Sequence, residues 1–259
     1  MKIILTFAAL FIISRVVFMQ NKEVSHDLFG NVLKDNVKNG LVNYQNLQSD
    51  KKLDEYIDYI SKINPSEIIN ESDRLAFWIN AYNAFTLKII VDNYPVESIN
   101  DLNSGGRAIA HVLGTTVWDK DLVTINNEPT NLNYIEHDVI RKEFSEPRIH
   151  FALVCAAVSC PPLRNEAYEG YKLNEQLENQ AGIFFNDESK NSFDIKTRTA
   201  YLSKILDWYD DDFGDSDKEI LLYVSQFLDK NLSESIKNNV DDWNIEYNDY
   251  NWDLNEIKN

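Results

Sequence analysis

The sequence is poor in cysteine, glycine and proline. Two cysteines among 259 residues are too few for a scaffold held together by disulfides. Eight glycines and six prolines argue against long flexible linkers. The fold must therefore depend on a hydrophobic core, and a content of 44% hydrophobic residues is typical of a globular protein.

Basic residues are also scarce. The chain has 25 lysines and arginines against 42 aspartates and glutamates, which gives a formal net charge of −17. An acidic surface repels the phosphates of nucleic acids and anionic lipids, so we expect no nucleic-acid partner. The acidity is uneven, because residues 205–259 hold 15 acidic and 4 basic residues, whereas residues 137–164 carry a net charge of +1.

Motifs for nucleotide binding and for one type of serine hydrolase are missing. The sequence has no Gly-x-Gly-x-x-Gly fingerprint, no Gly-Lys-Ser/Thr phosphate-binding loop and no Gly-x-Ser-x-Gly elbow. We therefore expect no bound cofactor. An acidic stretch at 210–217 lacks the ligand order and the closing glutamate of a helix-loop-helix calcium site, so we interpret it as a solvated loop.

The first twenty residues have the features of a secretory signal peptide. Lys2 precedes an apolar run at 3–13 that only Thr6 interrupts, and this run is too short to cross a bilayer. We therefore predict a signal peptide at 1–20, export to the periplasm or the exterior, and no membrane span in the mature chain. An uncleaved anchor and a buried helix are the alternatives.

No internal repeat or low-complexity linker divides the rest of the chain, which predicts a single globular domain at 21–259. The most apolar stretch predicts a helix at 74–93, closed by Tyr94-Pro95, in the centre of the core. Further helices are predicted at 131–144 and 172–185.

The predicted fold class is α+β, a helix-rich domain around a small, mainly antiparallel sheet. A strand is expected near 192–196, and two helices are expected in the acidic part at 200–259. Residues 117–125 suggest a short hairpin around 119–121. Residues 148–155 are apolar at nearly every position, which favours a buried central strand, although a helical segment has the same pattern.

Four motifs occur in order along the middle of the chain: FWINAYNA at 77–84, IEH at 135–137, RIHFALVC at 148–155 and SCPPLR at 159–164. In this combination the sequence resembles the bacterial branch of the domain-of-unknown-function family 547, over about residues 70–185. WDLN at 252–255 resembles the closing motif of its exported members. The resemblance implies a thiol hydrolase or peptidase, and it would fit a thiol-protease-like fold.

Cys155 is the first candidate for chemistry. It follows the apolar stretch, and the end of a buried strand is a place where a nucleophile can be exposed. The thiol would need a lowered pKa, for example from an imidazole. A disulfide with Cys160, which export would favour, and an inert buried thiol are the alternatives.

His137 is the candidate base, with Glu136 or Asn80 orienting its ring. Glu136 falls on the apolar stripe of its helix, where a carboxylate needs a partner; the structural alternative is an ion pair with Arg148 or Arg164. If residues 148–155 are extended, His150 lies about 16 Å from Cys155 and on the opposite face, which makes it a poor base.

Asn80 and Asn83 lie three residues apart on one face of the most apolar helix, where unpaired amides would be costly. They either tie the helix to a loop backbone, or they orient an imidazole or stabilise an oxyanion.

Three functions remain open from the sequence. The leading hypothesis is an exported thiol hydrolase that acts on an amide or peptide bond. The second is a non-enzymatic extracytoplasmic binding module whose motif residues form a structural polar network. The third is a metal site made by His137, His150 and Glu136, although no His-x-x-x-His spacing supports it. His26 and His111 show no supporting pattern and are expected at the surface.

Overall fold

The computed structural model of the chain describes residues 21–103 and 116–258. The predicted signal peptide at 1–20 and His111 lie outside the described residues. The α-helices are α1 Asp27–Asn36, α2 Tyr44–Leu47, α3 Lys51–Ser61, α4 Glu71–Asn93, α5 Arg141–Glu143, α6 Leu173–Phe185, α7 Ile205–Trp208, α8 Asp210–Phe213, α9 Asp217–Val224 and α10 Lys230–Asn238.

Short helical segments of other types connect these helices. A π-helix at Tyr134–Ile140 runs directly into α5, so the segment predicted at 131–144 is helical. The 3-10 helices are Pro65–Glu67, Ile99–Leu102, Val117–Asp119, Pro147–Phe151, Gly170–Lys172, Ser225–Phe227 and Val240–Asp242. No helix in the described part of the chain is long and apolar enough to cross a membrane.

The sheets are small, as the sequence predicts for this α+β fold. The strands are β1 Val37–Lys38, β2 Leu41–Val42, β3 Val123–Ile125, β4 Glu128–Thr130, β5 Ser192–Asp194, β6 Thr199–Leu202 and β7 Asn244–Tyr247. β1–β2, β3–β4 and β5–β6 are antiparallel pairs, and β7 joins β6 in parallel. Helices supply most of the buried residues, and β6 adds Ala200 and Leu202 to the second of two hydrophobic clusters.

α4 forms the centre of the larger hydrophobic cluster, which confirms the central helix predicted at 74–93. The Asn70 side chain accepts a hydrogen bond from the Asp73 amide and caps the first turn. Nearly every residue from Leu75 to Ile90 is buried, so the helix is enclosed on all faces. A second hydrophobic cluster is built around the stacked rings of Phe151 and Phe184.

The strand predicted at 148–155 is wrong. Pro147–Phe151 is a 3-10 helix, because Pro147 fixes a helical start and the Glu146 side chain caps it by accepting from the Arg148 amide. The segment is apolar because it is buried on several sides. His150 and Cys155 are therefore not held on opposite faces of a strand.

The hairpin predicted around 119–121 is also misplaced. Val117–Asp119 is a 3-10 turn with a capping box between Thr116 and Asp119. The observed hairpin pairs β3 with β4 through Asn126 and Asn127, whose φ values of 53° and 60° suit a tight primed turn.

The end of the chain returns to the family-like motifs. The Val158 amide donates to the carbonyl of Asp253 at 2.8 Å, and the Asn255 amide donates to the carbonyl of Ala156 at 3.1 Å. These bonds place residues 250–255 beside the cysteines.

Candidate functional site

A cavity of about 370 Å³ lies where the motif segments meet the C-terminal part of the chain. Its polar lining residues are Asn133, Glu136, His137, His150, Cys155 and Cys160. Its aromatic lining residues are Tyr82, Trp118, Trp208, Tyr209, Tyr250 and Trp252. We call it the aromatic cavity. The structure thus brings Cys155, both candidate histidines and Glu136 to one site.

Cys155 and Cys160 form a disulfide at the wall of this cavity, with their Cα atoms 6.2 Å apart. The Tyr250 hydroxyl lies 3.1 Å from Cys155 Sγ and 3.3 Å from Cys160 Sγ. The Cys155 amide also donates to Cys160 Sγ at 2.9 Å. A disulfide sulfur is not a thiolate, so Cys155 is not a nucleophile in this state.

Asn83 fixes the backbone that leads to Cys155. Its Nδ2 donates to the carbonyl of Ala152 at 2.9 Å, and its Oδ1 accepts from the Val154 amide at 3.0 Å. Ala156 then adopts a positive φ of 60°, which turns the chain sharply after Cys155. The buried amide therefore ties α4 to a loop, as the structural alternative expects.

Asn80 holds another backbone segment in the same way, and we call each of these pairs of amide hydrogen bonds an asparagine clamp. Its Nδ2 donates to the carbonyl of Tyr168 at 2.7 Å, and its Oδ1 accepts from the Tyr168 amide at 2.9 Å. Both ends of the amide are used by backbone, and Asn80 does not line the aromatic cavity. Asn80 therefore does not orient an imidazole, and this expected role is corrected to a structural one.

His150 is paired with Asp212, a residue that the sequence did not single out. His150 Nε2 lies 2.6 Å from Asp212 Oδ2, which also accepts from Arg141 Nε at 2.6 Å. Hydrogen bonds from His150 and Arg141 hold the pKa of Asp212 well below its usual range, so the carboxylate is ionised. An ionised carboxylate only accepts, so His150 donates from Nε2, and in the neutral form of the ring the lone pair is then on Nδ1.

His137 has the opposite tautomer. Arg141 Nη1 donates to His137 Nδ1 at 3.1 Å, and a guanidinium has no acceptor, so the proton of the neutral ring is on Nε2. In this arrangement His137 offers a donor and no free lone pair. In the neutral forms of the two rings, His137 therefore uses its Nδ1 lone pair to accept from Arg141, whereas the lone pair of His150 is on the nitrogen that faces away from Asp212.

Glu136 is buried, with 6% of its surface exposed. The hydroxyls of Tyr82 and Tyr209 hydrogen-bond to its carboxylate, and burial together with this charge raises the pKa of both phenols. Glu136 takes part in no ion pair among the described residues.

The ion pair expected between Glu136 and a core arginine is therefore wrong. Arg148 instead pairs with Glu146 at 2.6 Å, and Arg164 pairs with Glu166 at 2.5 Å. Both arginines find a carboxylate two residues away along the chain, which leaves Glu136 to its phenol partners.

His137, His150 and Glu136 line one cavity but do not form a ligand set. Over residues 21–103 and 116–258, no three His, Cys, Asp or Glu side chains come close enough together to hold a metal ion. His26, expected at the surface, is buried and bonds Tyr56 through Nδ1 at 2.7 Å.

The sequence contains no signal that separates Asp212 from its acidic neighbours. It lies in α8, within the stretch 210–217 interpreted as a solvated loop. Only the fold shows that this side chain turns toward His150 while Asp210 and Asp211 are exposed. Of the aromatic lining residues after 185, only Trp252 lies in a motif that the sequence analysis had noted.

The comparisons with known proteins agree with the motifs. Residues 66–185 match a family model described as "Protein of unknown function, DUF547". Searches of curated proteins and of solved structures gave no match. The matched residues include both asparagine clamps, Glu136, both candidate histidines and both cysteines, so the segment that forms the candidate site is the segment that is similar to the DUF547 family.

Proposed function

We propose that the chain is an exported thiol-dependent hydrolase of an amide or peptide bond, with its nucleophile stored as a disulfide. One observation carries this proposal: Cys155 shares the aromatic cavity with His150, and Asp212 holds the ring through Nε2, which leaves Nδ1 as the nitrogen that would act as the base. A nucleophile, a base and a carboxylate that orients the base are the parts of a generalised catalytic triad.

Reduction of the disulfide is the first step. A small dithiol would attack Cys160 Sγ, Cys155 would leave as a thiolate, and the second thiol of the reductant would then release Cys160. The protein disulfide gains two electrons and two protons overall, and the dithiol becomes a cyclic disulfide. Export places the chain in an oxidising compartment, where the disulfide is the resting state.

The hydrolytic steps follow from the protonation states of the two histidines. The Cys155 thiol gives its proton to His150 Nδ1 while Sγ bonds to the carbonyl carbon. The proton then passes to the leaving amine, the C–N bond breaks, and a thioester remains on Cys155. Water hydrolyses the thioester with His150 again as base, which releases the acid and restores the thiol. His137 Nε2–H supplies a donor for the developing oxyanion.

Turnover on a panel of peptides and peptidoglycan fragments tests this mechanism. Wild type should be inactive without reductant and active with a dithiol. Cys160→Ser should be active without reductant, because its Cys155 has no partner. Cys155→Ser should be inactive in both conditions, and undiminished turnover by this variant would refute the mechanism.

A second candidate, a non-enzymatic binding module, is favoured by the disulfide itself. A chain that keeps Cys155 oxidised needs no thiol, and the cavity would bind a ligand without converting it. Alkylation and mass measurement of protein taken from its own host, together with reduction before assay, separate the two functions. A reduced chain that binds a fragment without ever hydrolysing it would favour the binding module.

A further inference from the structure

Six tyrosine and tryptophan rings line the aromatic cavity. The ring centroids of Trp208 and Tyr250 are 4.7 Å apart, those of Tyr250 and Trp252 are 4.6 Å apart, and those of Trp118 and Trp252 are 6.0 Å apart. The faces of such rings carry partial negative charge and attract cations. Trp208 is 45% exposed, so this wall lies open to an arriving ligand.

A buried carboxylate faces the same space. Glu136 lines the cavity and makes no ion pair among the described residues, and its neighbours include the neutral phenols of Tyr82 and Tyr209. A carboxylate offers about four lone-pair sites, so two phenols leave room for further donors. A buried charge without a counter-charge is costly, and a cationic ligand would offset this cost.

Arg141 interacts electrostatically with this carboxylate, but its guanidinium is already engaged by other groups. Arg141 donates from Nε to Asp212 and from Nη1 to His137, and it does not line the cavity. His137 accepts that bond on Nδ1. The protein therefore provides a negative charge inside an aromatic enclosure and keeps its own nearby guanidinium bound elsewhere.

We propose that the aromatic cavity binds an organic ammonium group, with Glu136 as its counter-charge and the tryptophan and tyrosine rings as its enclosure. The inference rests on the proposed function, because this group would be the part of the substrate that anchors it beside Cys155. The volume of about 370 Å³ suits a small ligand group of this kind.

Choline and its neutral carbon isostere, dimethylbutanol, are matched probes, because they have the same shape and differ in charge. Calorimetric titration of the full chain in its disulfide form should show that choline binds at least about tenfold more tightly than dimethylbutanol. Equal affinity for the two probes, or no binding of choline, would overturn the proposal.

Two variants test the counter-charge and the ring enclosure separately. Glu136→Gln should weaken choline binding about tenfold and leave dimethylbutanol binding unchanged. Trp208→Leu, at a position that is 45% exposed, should weaken choline binding about threefold or more. Glu143→Gln, in α5 outside the cavity, is the control and should bind choline as wild type does. Unchanged choline binding in both test variants contradicts the assignment.

The disulfide form keeps this test independent of hydrolysis, because it has no thiolate. If the chain shows dithiol-dependent turnover but does not bind choline, the proposed ammonium site is refuted and the proposed hydrolase function is not. If the chain binds choline and the Cys155→Ser variant still turns over substrate, the thiol mechanism is refuted and the proposed ammonium site is not.

Discussion

His150 Nε2 lies 2.6 Å from Asp212 Oδ2, although the two residues are 62 positions apart in the sequence. This bond joins the family segment to the acidic C-terminal part of the chain. It also engages Nε2 of His150, so in the proposed mechanism the nitrogen that would accept a proton from Cys155 is Nδ1.

The first prediction concerns Asp212 and acid stability. Because its pKa is lowered in the folded chain, first by His150 and then by Arg141, Asp212 stabilises the fold above its ordinary pKa of about 4. Asp212→Asn should lower the free energy of unfolding by about 2 kcal/mol at pH 6. The difference from wild type should shrink as the pH falls below about 4, toward the lowered folded pKa.

Urea unfolding at a series of pH values measures this difference. Asp211→Asn, an exposed neighbour, is the control and should show a small difference that does not change with pH. A gap between Asp212→Asn and wild type that stays constant down to acid pH would argue against an ionised Asp212 in the fold.

The second prediction concerns the Asn83 clamp. Asn83→Ala leaves the Ala152 carbonyl and the Val154 amide without partners in a buried place, so it should cost about 2–4 kcal/mol of stability. Asn93→Ala, near the exposed end of the same helix, loses one bond to Ile89 and should cost about 1 kcal/mol or less. Chemical unfolding of both variants measures these losses. Similar losses of stability in the two variants would show that the Asn83 clamp contributes no more than a single exposed hydrogen bond.

The third prediction concerns the stability that the disulfide contributes. Cys155 and Cys160 are separated by five positions, and closing so short a loop stabilises the fold by about 2 kcal/mol in the chain-entropy estimate. The variant in which both Cys155 and Cys160 are replaced by serine cannot form the bridge. A reductant should therefore lower the midpoint of urea unfolding of wild type to the midpoint of this variant. A midpoint that does not respond to reductant would mean that the bridge is not formed in solution.

The fourth prediction concerns the Tyr250 hydroxyl, which lies 3.1 Å from Cys155 Sγ. Burial, and then the charge of Glu136, raises the pKa of Tyr250, so its O–H remains a donor over the working range. A donor stabilises the thiolate and lowers the pKa of the thiol. In a Cys160→Ser background, Tyr250→Phe should slow alkylation of Cys155 at pH 7 by about three- to tenfold.

Iodoacetamide rates measured against pH test this prediction. The rates of the two proteins should converge at alkaline pH, where the thiol is ionised with or without the donor. Tyr247→Phe, in β7, serves as the control and should leave the rate profile unchanged. Identical profiles for Tyr250→Phe and its parent would show that the hydroxyl has no influence on the thiol.

The sequence predicts the long elements well, because their patterns repeat over several turns and end at clear stops. The helices expected at 74–93 and 172–185 are observed at Glu71–Asn93 and Leu173–Phe185. The short apolar segment at 148–155 could not be assigned in this way, because burial on several sides erases periodicity. There the local chemistry of Pro147 and the Glu146 cap decided the conformation.

The candidate site also has parts that the sequence predicts and parts that it does not. Its cysteines, its histidines and Glu136 stand in motifs and could be proposed from the sequence. The proton positions on the two histidines depend on Arg141 and Asp212, which no motif marks. Such partners are set by tertiary packing, so the sequence alone could not show how either imidazole is hydrogen-bonded.

The packing of the C-terminal part of the chain against the motif segments has a practical consequence for work on this family. The segment that matches the family ends at 185, but Trp208, Tyr209, Asp212, Tyr250 and Trp252 follow it. A fragment cut at that point would expose the disulfide to solvent, lose most of the ring enclosure and leave His150 without its carboxylate. Inactivity of such a fragment would say nothing about the family's chemistry, and screens for substrates should use chains that carry their own C-terminal part.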